Sequence, residues 1–204
     1  MKQKIKEKNS RSPDAEFVNK FTVRGTLLKT TNFGSFMCLV VATNNSVTHN
    51  SNYPNLFIFD RELINKVNTE FEISDRITVE GYAQSSKAHP DGTLVAKTIT
   101  REDKRVDAAF KNVEYKEDIN MLLLKGKLFA DAYSPKPGVT LMTIQTVNEQ
   151  GKSAYAKVVA FGKIANRAAA KKKGESIKAI CTIRTQNSKE DPKVSELSFV
   201  LYNF

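Results

Sequence analysis

The chain has 204 residues, of which 40% are apolar and 26% are charged, a composition typical of globular proteins. No stretch approaches the roughly 20 apolar residues that a membrane helix needs, and the basic N-terminal sequence lacks the apolar core of a secretory signal. The net charge of +10 is concentrated in residues 119–204, which carry 14 Lys/Arg and 6 Asp/Glu. This charge excess favours a polyanionic partner, although a basic surface kept for solubility is the alternative. From the lack of a long apolar run we expect no membrane partner.

Residues 1–18 have little to bury and predict a flexible basic tail. The next segment alternates between strand and turn patterns until Leu63, Ile64 and Val67 fall on one helical face, with Asp60 placed to cap the helix. The predicted elements are a strand at 21–28, a turn at 30–34, a strand at 35–42, a polar loop at 43–52, a strand at 56–59, a helix at 60–68, a strand at 76–84, a loop at 85–92 and a strand at 93–100.

Residues 101–118 have mixed charge and predict a linker, with a short helix over 106–110. The same order then returns: a strand at 121–129, a turn at 131–138, a strand at 139–147, a loop at 148–153, a strand at 155–161, a helix at 163–173, a strand at 177–185, a loop at 187–192 and a strand at 196–202. Gly174 is expected to end the second helix. Lys171, Lys172 and Lys173 would then lie on its last turn, where the helix dipole favours cations.

The two segments are copies of one another. NKFTVRG at 19–25 matches NMLLLKG at 120–126, a shift of 101 residues. Tyr53 precedes Phe59 by six positions as Tyr155 precedes Phe161, a shift of 102, and residues 75–79 match 175–179 at a shift of 100. A near-constant shift over three separate strands indicates one fold used twice.

The order β-β-β-α-β-β predicts an all-β fold class, with two tandem OB-folds, each a five-stranded barrel with a helix between its third and fourth strands. The predicted domains are residues 19–100 and 119–204, joined by 101–118. A different small β-barrel in tandem is the alternative. Cys38 and Cys181 lie in apolar strands, and we expect both to be reduced core residues of a cytoplasmic protein.

The strand at 155–161 carries the strongest functional pattern. Tyr155, Lys157, Val159 and Phe161 share one face by their period of two, whereas the residues between them are small and apolar. Two rings and a lysine on an outer face suit single-stranded nucleic acid, because bases stack on the rings while the lysine meets phosphate.

The first copy offers Tyr53, Phe57 and Phe59 on the matching face, without the lysine. Phe59 and Phe161 could instead be core anchors at the start of the helices. Phe33 and Tyr133 occupy corresponding turns, and each is a candidate to stack a base. The candidate phosphate contacts are Lys125 and Lys127 on the first strand of the second copy, Arg24 on that of the first, Lys136 in the following turn, and Arg184 beside the last loop.

The sequence predicts a protein that is not an enzyme and that holds no cofactor and no metal. Its two histidines, His49 and His89, lie in polar loops. The sequence has no Cys/His cluster with metal-ligand spacing, no phosphate-binding glycine motif and no nucleophile signature.

The string YAKVVAFGKIA at 155–165 resembles the third strand and helix start of bacterial single-stranded DNA-binding proteins, the SSB family. Lys173-Gly174, the strand at 177–181 and the N-x-x-x-L-x-G opening at 120–126 are similar to the same family. The resemblance implies that Tyr155 and Phe161 stack bases. The first copy is less similar, with Asp60 where the family has glycine.

Two departures from the family bear on assembly. The family has one OB-fold per chain and forms tetramers, so two copies imply a homodimer or a working monomer. The chain ends in SELSFVLYNF rather than in an acidic recruiting tip, which favours a plasmid- or phage-type variant. We therefore expect single-stranded DNA as the partner in replication or recombination; an OB-fold adaptor for a replication or conjugation protein and an RNA-binding protein are the alternatives.

Overall fold

The computed structural model describes residues 17–44, 51–85, 92–102, 105–107, 112–114, 117–147, 151–187 and 195–204. Strands dominate these ranges and two helices accompany them, which confirms the prediction of an all-β, OB-fold-like chain. Neither of these helices is long and apolar enough to cross a membrane. We call residues 17–102 the first half and 117–204 the second half; their division into two separate domains stays a prediction.

The first half holds six strands and one helix: β1 (Val18–Asn32), β2 (Met37–Asn44), β3 (Ser51–Asn52), β4 (Asn55–Ile58), α1 (Arg61–Glu70), β5 (Arg76–Gln84) and β6 (Thr93–Arg101). Strand pairing runs from β1 to β2, β4, β6, β5 and back to β1, which closes a ring of five strands. The pairing of β4 with β6 is parallel and the other four are antiparallel. The short β3 pairs with the end of β2.

The second half repeats this arrangement with β9 (Ile119–Leu128), β10 (Tyr133–Lys136), β11 (Val139–Val147), β12 (Ser153–Phe161), α2 (Gly162–Ala169), β13 (Ser176–Asn187) and β14 (Ser195–Asn203). Pairing runs from β9 to β11, β12, β14, β13 and back to β9. Between the halves, β7 (Arg105–Asp107) and β8 (Asn112–Glu114) form a two-stranded antiparallel pair.

The halves are joined along their first strands. β1 pairs antiparallel with β9 over seven residue pairs, from Val18 opposite Lys125 to Arg24 opposite Ile119. Twelve strands therefore belong to one continuous sheet. Alternate residues of each strand point into the two barrels and form the buried core, including Phe21, Leu27 and Leu39 in the first half and Leu122, Leu124 and Phe199 in the second.

The repeated sequence motifs have structural causes. A Cβ on Gly25 would lie 2.0 Å from the Ala42 carbonyl oxygen, and one on Gly126 would lie 2.1 Å from that of Gln145, so each barrel closes where only glycine fits. The Asn19 side chain donates a hydrogen bond to the Ala83 carbonyl and accepts one from the Ala83 N–H. The Asn120 side chain makes the same two hydrogen bonds with the backbone of Ile183. The Asn and Gly of both NKFTVRG and NMLLLKG thus fix the first strand against its neighbours.

The two helices differ at their starts. Asp60 caps α1, as predicted, because its carboxylate accepts a hydrogen bond of 3.0 Å from the Leu63 N–H. Gly162 instead begins α2 with φ at +57°, a conformation that favours glycine. This difference explains why the first copy tolerates Asp60 where the second has glycine.

The predicted end of the second helix was wrong. α2 ends at Ala169, so Lys171, Lys172 and Lys173 lie beyond its last turn, and Gly174 does not end it. Gly174, with φ at +84°, belongs to a separate turn, and its N–H donates a hydrogen bond to the Leu128 carbonyl. The chain leaves the helix early because residues 170–175 must return to β9.

Other boundaries also differ from the prediction. β1 continues to Asn32, so the predicted turn at 30–34 begins later, and β10 forms inside the predicted turn at 131–138. The helix expected over 106–110 is wrong at its start, where β7 lies, and its remaining residues fall outside the described ranges. Likewise, the predicted loop at 43–52 contains the end of β2 and all of β3, and the described ranges omit 45–50.

Candidate nucleic-acid interface

β12 presents the alternation that the sequence predicts. Ala154, Ala156, Val158 and Ala160 are buried inside the second barrel. Tyr155, Lys157, Val159 and Phe161 point outward, and Phe161 is 47% exposed. Phe161 is therefore not a core anchor. We call the outward surface formed by these four residues, by the outward residues of β11 from Val139 to Gln145, and by Lys125, Lys127 and Phe129 the Tyr155 face.

β11 extends the Tyr155 face sideways. Its outward residues lie directly opposite those of β12: Gln145 opposite Tyr155, Thr143 opposite Lys157, Leu141 opposite Val159 and Val139 opposite Phe161. Directly opposed residues on one face of an antiparallel pair have Cβ atoms about 4.5–5.5 Å apart. The rings and the lysine of β12 are thus set beside a second row of mixed polar and apolar side chains.

Phe129 completes an aromatic pair that the sequence analysis missed. Its ring centroid lies 5.1 Å from that of Tyr155 in an edge-to-face arrangement. The Phe129 N–H donates a 2.9 Å hydrogen bond to the Thr143 carbonyl, which holds the residue beside β11. Phe129 continues the spacing of two residues from Lys125 and Lys127, so the alternation of the first strand could have predicted that its side chain faces outward.

The lysines of β9 lie on the same outer surface. Lys127 is opposite Gln145, which is itself opposite Tyr155, so the three side chains form a row across three strands. Lys125 lies opposite Lys178 of β13, a cation that the sequence analysis did not select. Adjacent strands are about 4.8 Å apart, which puts this row within the reach of a few nucleotides.

The hairpin β10–β11 brings Tyr133 and Lys136 to the edge of the Tyr155 face. Tyr133 is opposite Leu141 and Lys136 is opposite Val139. Tyr133 is 63% exposed, so its ring is free to contact a ligand.

A groove lies within the Tyr155 face. It has a volume of about 420 Å³ and is bordered by β10, β11, β12 and the start of β14. Its apolar walls include Leu141, Val159 and Leu197, and Tyr133, Lys157 and Asp131 also line it. The groove could not be predicted from the sequence, because its wall residues Leu141 and Leu197 lie on different strands.

The first half presents four phenylalanines at the matching place, which we call the Phe36 cluster: Phe33, Phe36, Phe57 and Phe59. The Phe36 ring centroid lies 4.7 Å from that of Phe33, 6.1 Å from that of Phe57 and 5.8 Å from that of Phe59. Phe59 is 49% exposed and is not a core anchor. Phe36 was missed, although its spacing of two from Cys38 places it on the outward side of β2.

Cys38 belongs to this outward surface, because it lies opposite Phe57 on β4. The expectation that it is a core residue was therefore wrong; Cys181 is buried as expected. Partial burial raises the pKa of the Cys38 thiol, and Lys29 nearby opposes that shift. Burial raises the pKa of the Cys181 thiol to about 12.

Tyr53 lies at the contact between the halves, and Arg184 lies on β13 near that contact. The Tyr53 N–H donates to the Thr185 hydroxyl at 2.9 Å, and Arg184 is exposed on the adjoining residue of β13. Tyr53 is exposed, as the sequence predicts.

Arg24 is engaged elsewhere. Its Nε donates to the Thr78 hydroxyl at 3.0 Å and lies 3.5 Å from the Glu102 carboxylate. It lies on the β1–β5 side of the first barrel, on different strands from the Phe36 cluster. The structure therefore does not bring Arg24 together with the other predicted site residues.

Two carboxylates engage the three lysines that follow α2. Asp131 accepts a 2.8 Å hydrogen bond from the Lys173 N–H and lies 3.4 Å from Lys172 Nζ, and Glu175 bonds the Lys172 N–H and Lys171 Nζ. The hydrogen bond from the Lys173 backbone is the main cause that lowers the pKa of Asp131, and that from the Lys172 backbone lowers the pKa of Glu175. Lys171 and Lys172 thus have acidic partners, unlike Lys157, for which the described residues provide none.

No protein-family model and no curated protein sequence matches the chain. Among the solved structures that match it in fold, two examples match over nearly its whole length. The wild-type single-stranded DNA binding protein from Thermus aquaticus has a TM-score of 0.64 at 16% identity, covering 93% of this chain and 92% of that one. A deletion mutant of the same protein, which also carries a point substitution, has a TM-score of 0.63 at 16% identity, covering 92% and 93%. The chain shares its fold with these proteins.

The structure thus gathers most of the predicted residues into two outward surfaces. On the Tyr155 face or at its edge lie Tyr155, Phe161, Lys157, Lys127, Tyr133 and Lys136, and in the Phe36 cluster lie Phe33, Phe57 and Phe59. Lys125 lies on the same side of β9, two residues before Lys127. Contact of any of them with nucleic acid stays a prediction.

Proposed function

We propose that this protein binds single-stranded DNA with little sequence preference and without catalysis. The observation that carries the proposal is the row of Lys127, Gln145 and Tyr155 across three strands, with Phe129 against the Tyr155 ring and Lys157 two residues further along β12. Aromatic rings and cations are thereby combined on one outward surface.

This combination fits a single strand better than a duplex. Unpaired bases expose their faces, and each base stacked on an aromatic ring contributes about 1–3 kcal/mol. Every base has such a face, so stacking discriminates little between sequences. The lysines neutralise phosphates and release counterions, which makes binding weaken as salt rises.

The shared fold supports the same function. The Thermus aquaticus proteins are named as single-stranded DNA binding proteins, and their likeness to this chain extends over both halves. We infer a tandem variant of plasmid or phage type that works in the cytoplasm during replication or recombination, as a homodimer presenting four barrels.

A titration of fluorescent oligo-dT against a duplex of equal length, at two salt concentrations, tests the proposal. We expect tighter binding of oligo-dT and a loss of affinity at the higher salt. Equal affinity for both forms, or no effect of salt, would contradict it. The mass of the complex gives the number of chains, and oligo-U in the same titration measures the alternative preference for RNA.

A second function is favoured for the first half by the Phe36 cluster. Phe33, Phe36, Phe57 and Phe59 form an exposed apolar patch, and such patches also serve as protein contacts. In this alternative the first half is an adaptor for a replication or conjugation protein, and oligo-dT leaves its surface accessible.

A further inference from the structure

The groove of the Tyr155 face and the matching surface of the first half carry different side chains. Val159 lies opposite Leu141 in the second half, and the corresponding residues, Phe57 and Cys38, lie opposite one another in the first. The Phe57 ring packs toward Phe36 at 6.1 Å between centroids. A ring of the protein therefore lies where the second half has a smaller valine.

The groove beside Val159 suits a flat aromatic ligand group. Its volume of about 420 Å³ falls within the roughly 300–1,000 Å³ of small-molecule sites. Leu141, Val159 and Leu197 supply apolar walls, and the exposed Tyr133 ring lies at the rim. In the first half the same surface is covered by phenyl rings, which indicates the kind of group that this surface accommodates.

The charges around the groove favour a guest attached to phosphate. Lys157 lines the groove and has no acidic partner among the described residues. Asp131, a carboxylate that also lines the groove, already accepts hydrogen bonds from the Lys173 N–H and from Lys172 Nζ. The cation is thus available to a phosphate, whereas the nearby anion is balanced.

We propose that this groove receives one unstacked nucleobase of the bound strand, while Lys157 contacts a phosphate beside it. The inference rests on the proposed function and adds to it a base held inside the second half rather than on its surface. The two halves then treat bases differently: the first stacks them on the Phe36 cluster, and the second encloses one between β10, β11 and β14.

Val159→Phe tests the groove, because it places a ring where Phe57 lies in the first half. We expect binding of oligo-dT to weaken roughly 5- to 150-fold, the loss of one base contact. Ile73→Phe is the matched control: Ile73 is an exposed apolar residue in the turn after α1, outside the Tyr155 face, its groove and the Phe36 cluster, so its added ring should leave affinity unchanged. Circular dichroism and thermal unfolding check that each variant folds.

The outcomes separate this inference from the function on which it rests. If the wild-type chain binds oligo-dT and Val159→Phe binds equally well or better, the groove is not a base site, and the proposed function stands. If the wild-type chain does not bind oligo-dT, the proposed function itself fails. Should Val159→Phe not fold, Leu141→Phe fills the groove from β11 and is held to the same expectation.

Discussion

Tyr155 is the residue on which the account depends most, because its ring lies on the outward side of β12 and is braced by Phe129. We expect Tyr155→Ala to weaken oligo-dT binding by about 1–3 kcal/mol, the contribution of one stacked base. Fluorescence titration at one fixed salt concentration measures the change. Tyr155→Phe keeps the ring and should bind like the wild type, so a loss in both variants would mean that the hydroxyl rather than stacking matters.

Lys157 supplies charge beside that ring. Neutralising it in Lys157→Gln should reduce the slope of log affinity against log salt by about 0.7, the share of one phosphate contact with a single strand. Lys20→Gln is the control, because Lys20 is paired with Glu80 at 2.8 Å on the outer side of β1. An equal change of slope in both variants would show that general charge, rather than the Tyr155 face, governs binding.

Sequence periodicity predicted which side chains of β12 face outward, because small core residues alternate with large or charged ones between positions 154 and 161. It did not find the pairing of Phe129 with Tyr155. These residues are 26 positions apart, and their contact depends on the pairing of β11 with both β9 and β12. The engagement of Arg24 by Glu102 was hidden for the same reason, since β6 had to be placed beside β5.

At the scale of elements, the turn after α2 is held by carboxylates. Asp131 and Glu175 are more acidic in the folded chain than their ordinary pKa values of 3.8 and 4.5, chiefly because backbone N–H groups bond their charged forms. Depressed folded pKa values mean that the folded state binds fewer protons, so stability is lost as pH falls through them. We expect Asp131→Asn to be less stable than the wild type at pH 7, with the difference shrinking at pH 3.

Urea unfolding at both pH values measures this difference. A constant difference between the two proteins from pH 7 to pH 3 would mean that the Asp131 charge does not hold the turn. The wild-type midpoint itself should fall on acidification.

The β2–β4 pair offers a test of the first half through Cys38. Its thiol lies opposite Phe57, whereas Cys181 is buried with its pKa raised to about 12. A thiol reagent should therefore label Cys38 first, since only thiolate reacts readily. If the first half binds DNA, saturating oligo-dT slows this labelling; unchanged labelling would favour the adaptor alternative. Cys38→Ser identifies which thiol reacts.

Element order was largely predictable from the sequence, whereas the end of α2 was not. The segment at 163–173 is rich in alanine and lysine, which favour a helix up to its last residue. The turn that ends it is fixed by partners in β9 and by Asp131, which lie some 40 residues earlier in the chain. These tertiary hydrogen bonds, rather than local helix propensity, therefore set where α2 ends.

At the scale of the whole molecule, the β1–β9 pairing turns a repeated sequence into one continuous sheet. The halves also meet where the Ser85 N–H donates to the Tyr155 carbonyl at 3.0 Å and the Tyr53 N–H donates to the Thr185 hydroxyl. The backbones of both candidate aromatic residues, Tyr53 and Tyr155, are thus anchored to the opposite half. A DNA strand bound to one half would therefore meet the other half in a fixed position.

The central claim is that single-stranded DNA lies on the outward sides of β11 and β12. Photocrosslinking of the full chain to an oligonucleotide containing 5-iodo-deoxyuridine, followed by mass spectrometry, tests it most directly. The account predicts crosslinks at Tyr155, Phe129, Phe161 or Tyr133. Crosslinks confined to the helices or to the β5–β6 side of the molecule would contradict it.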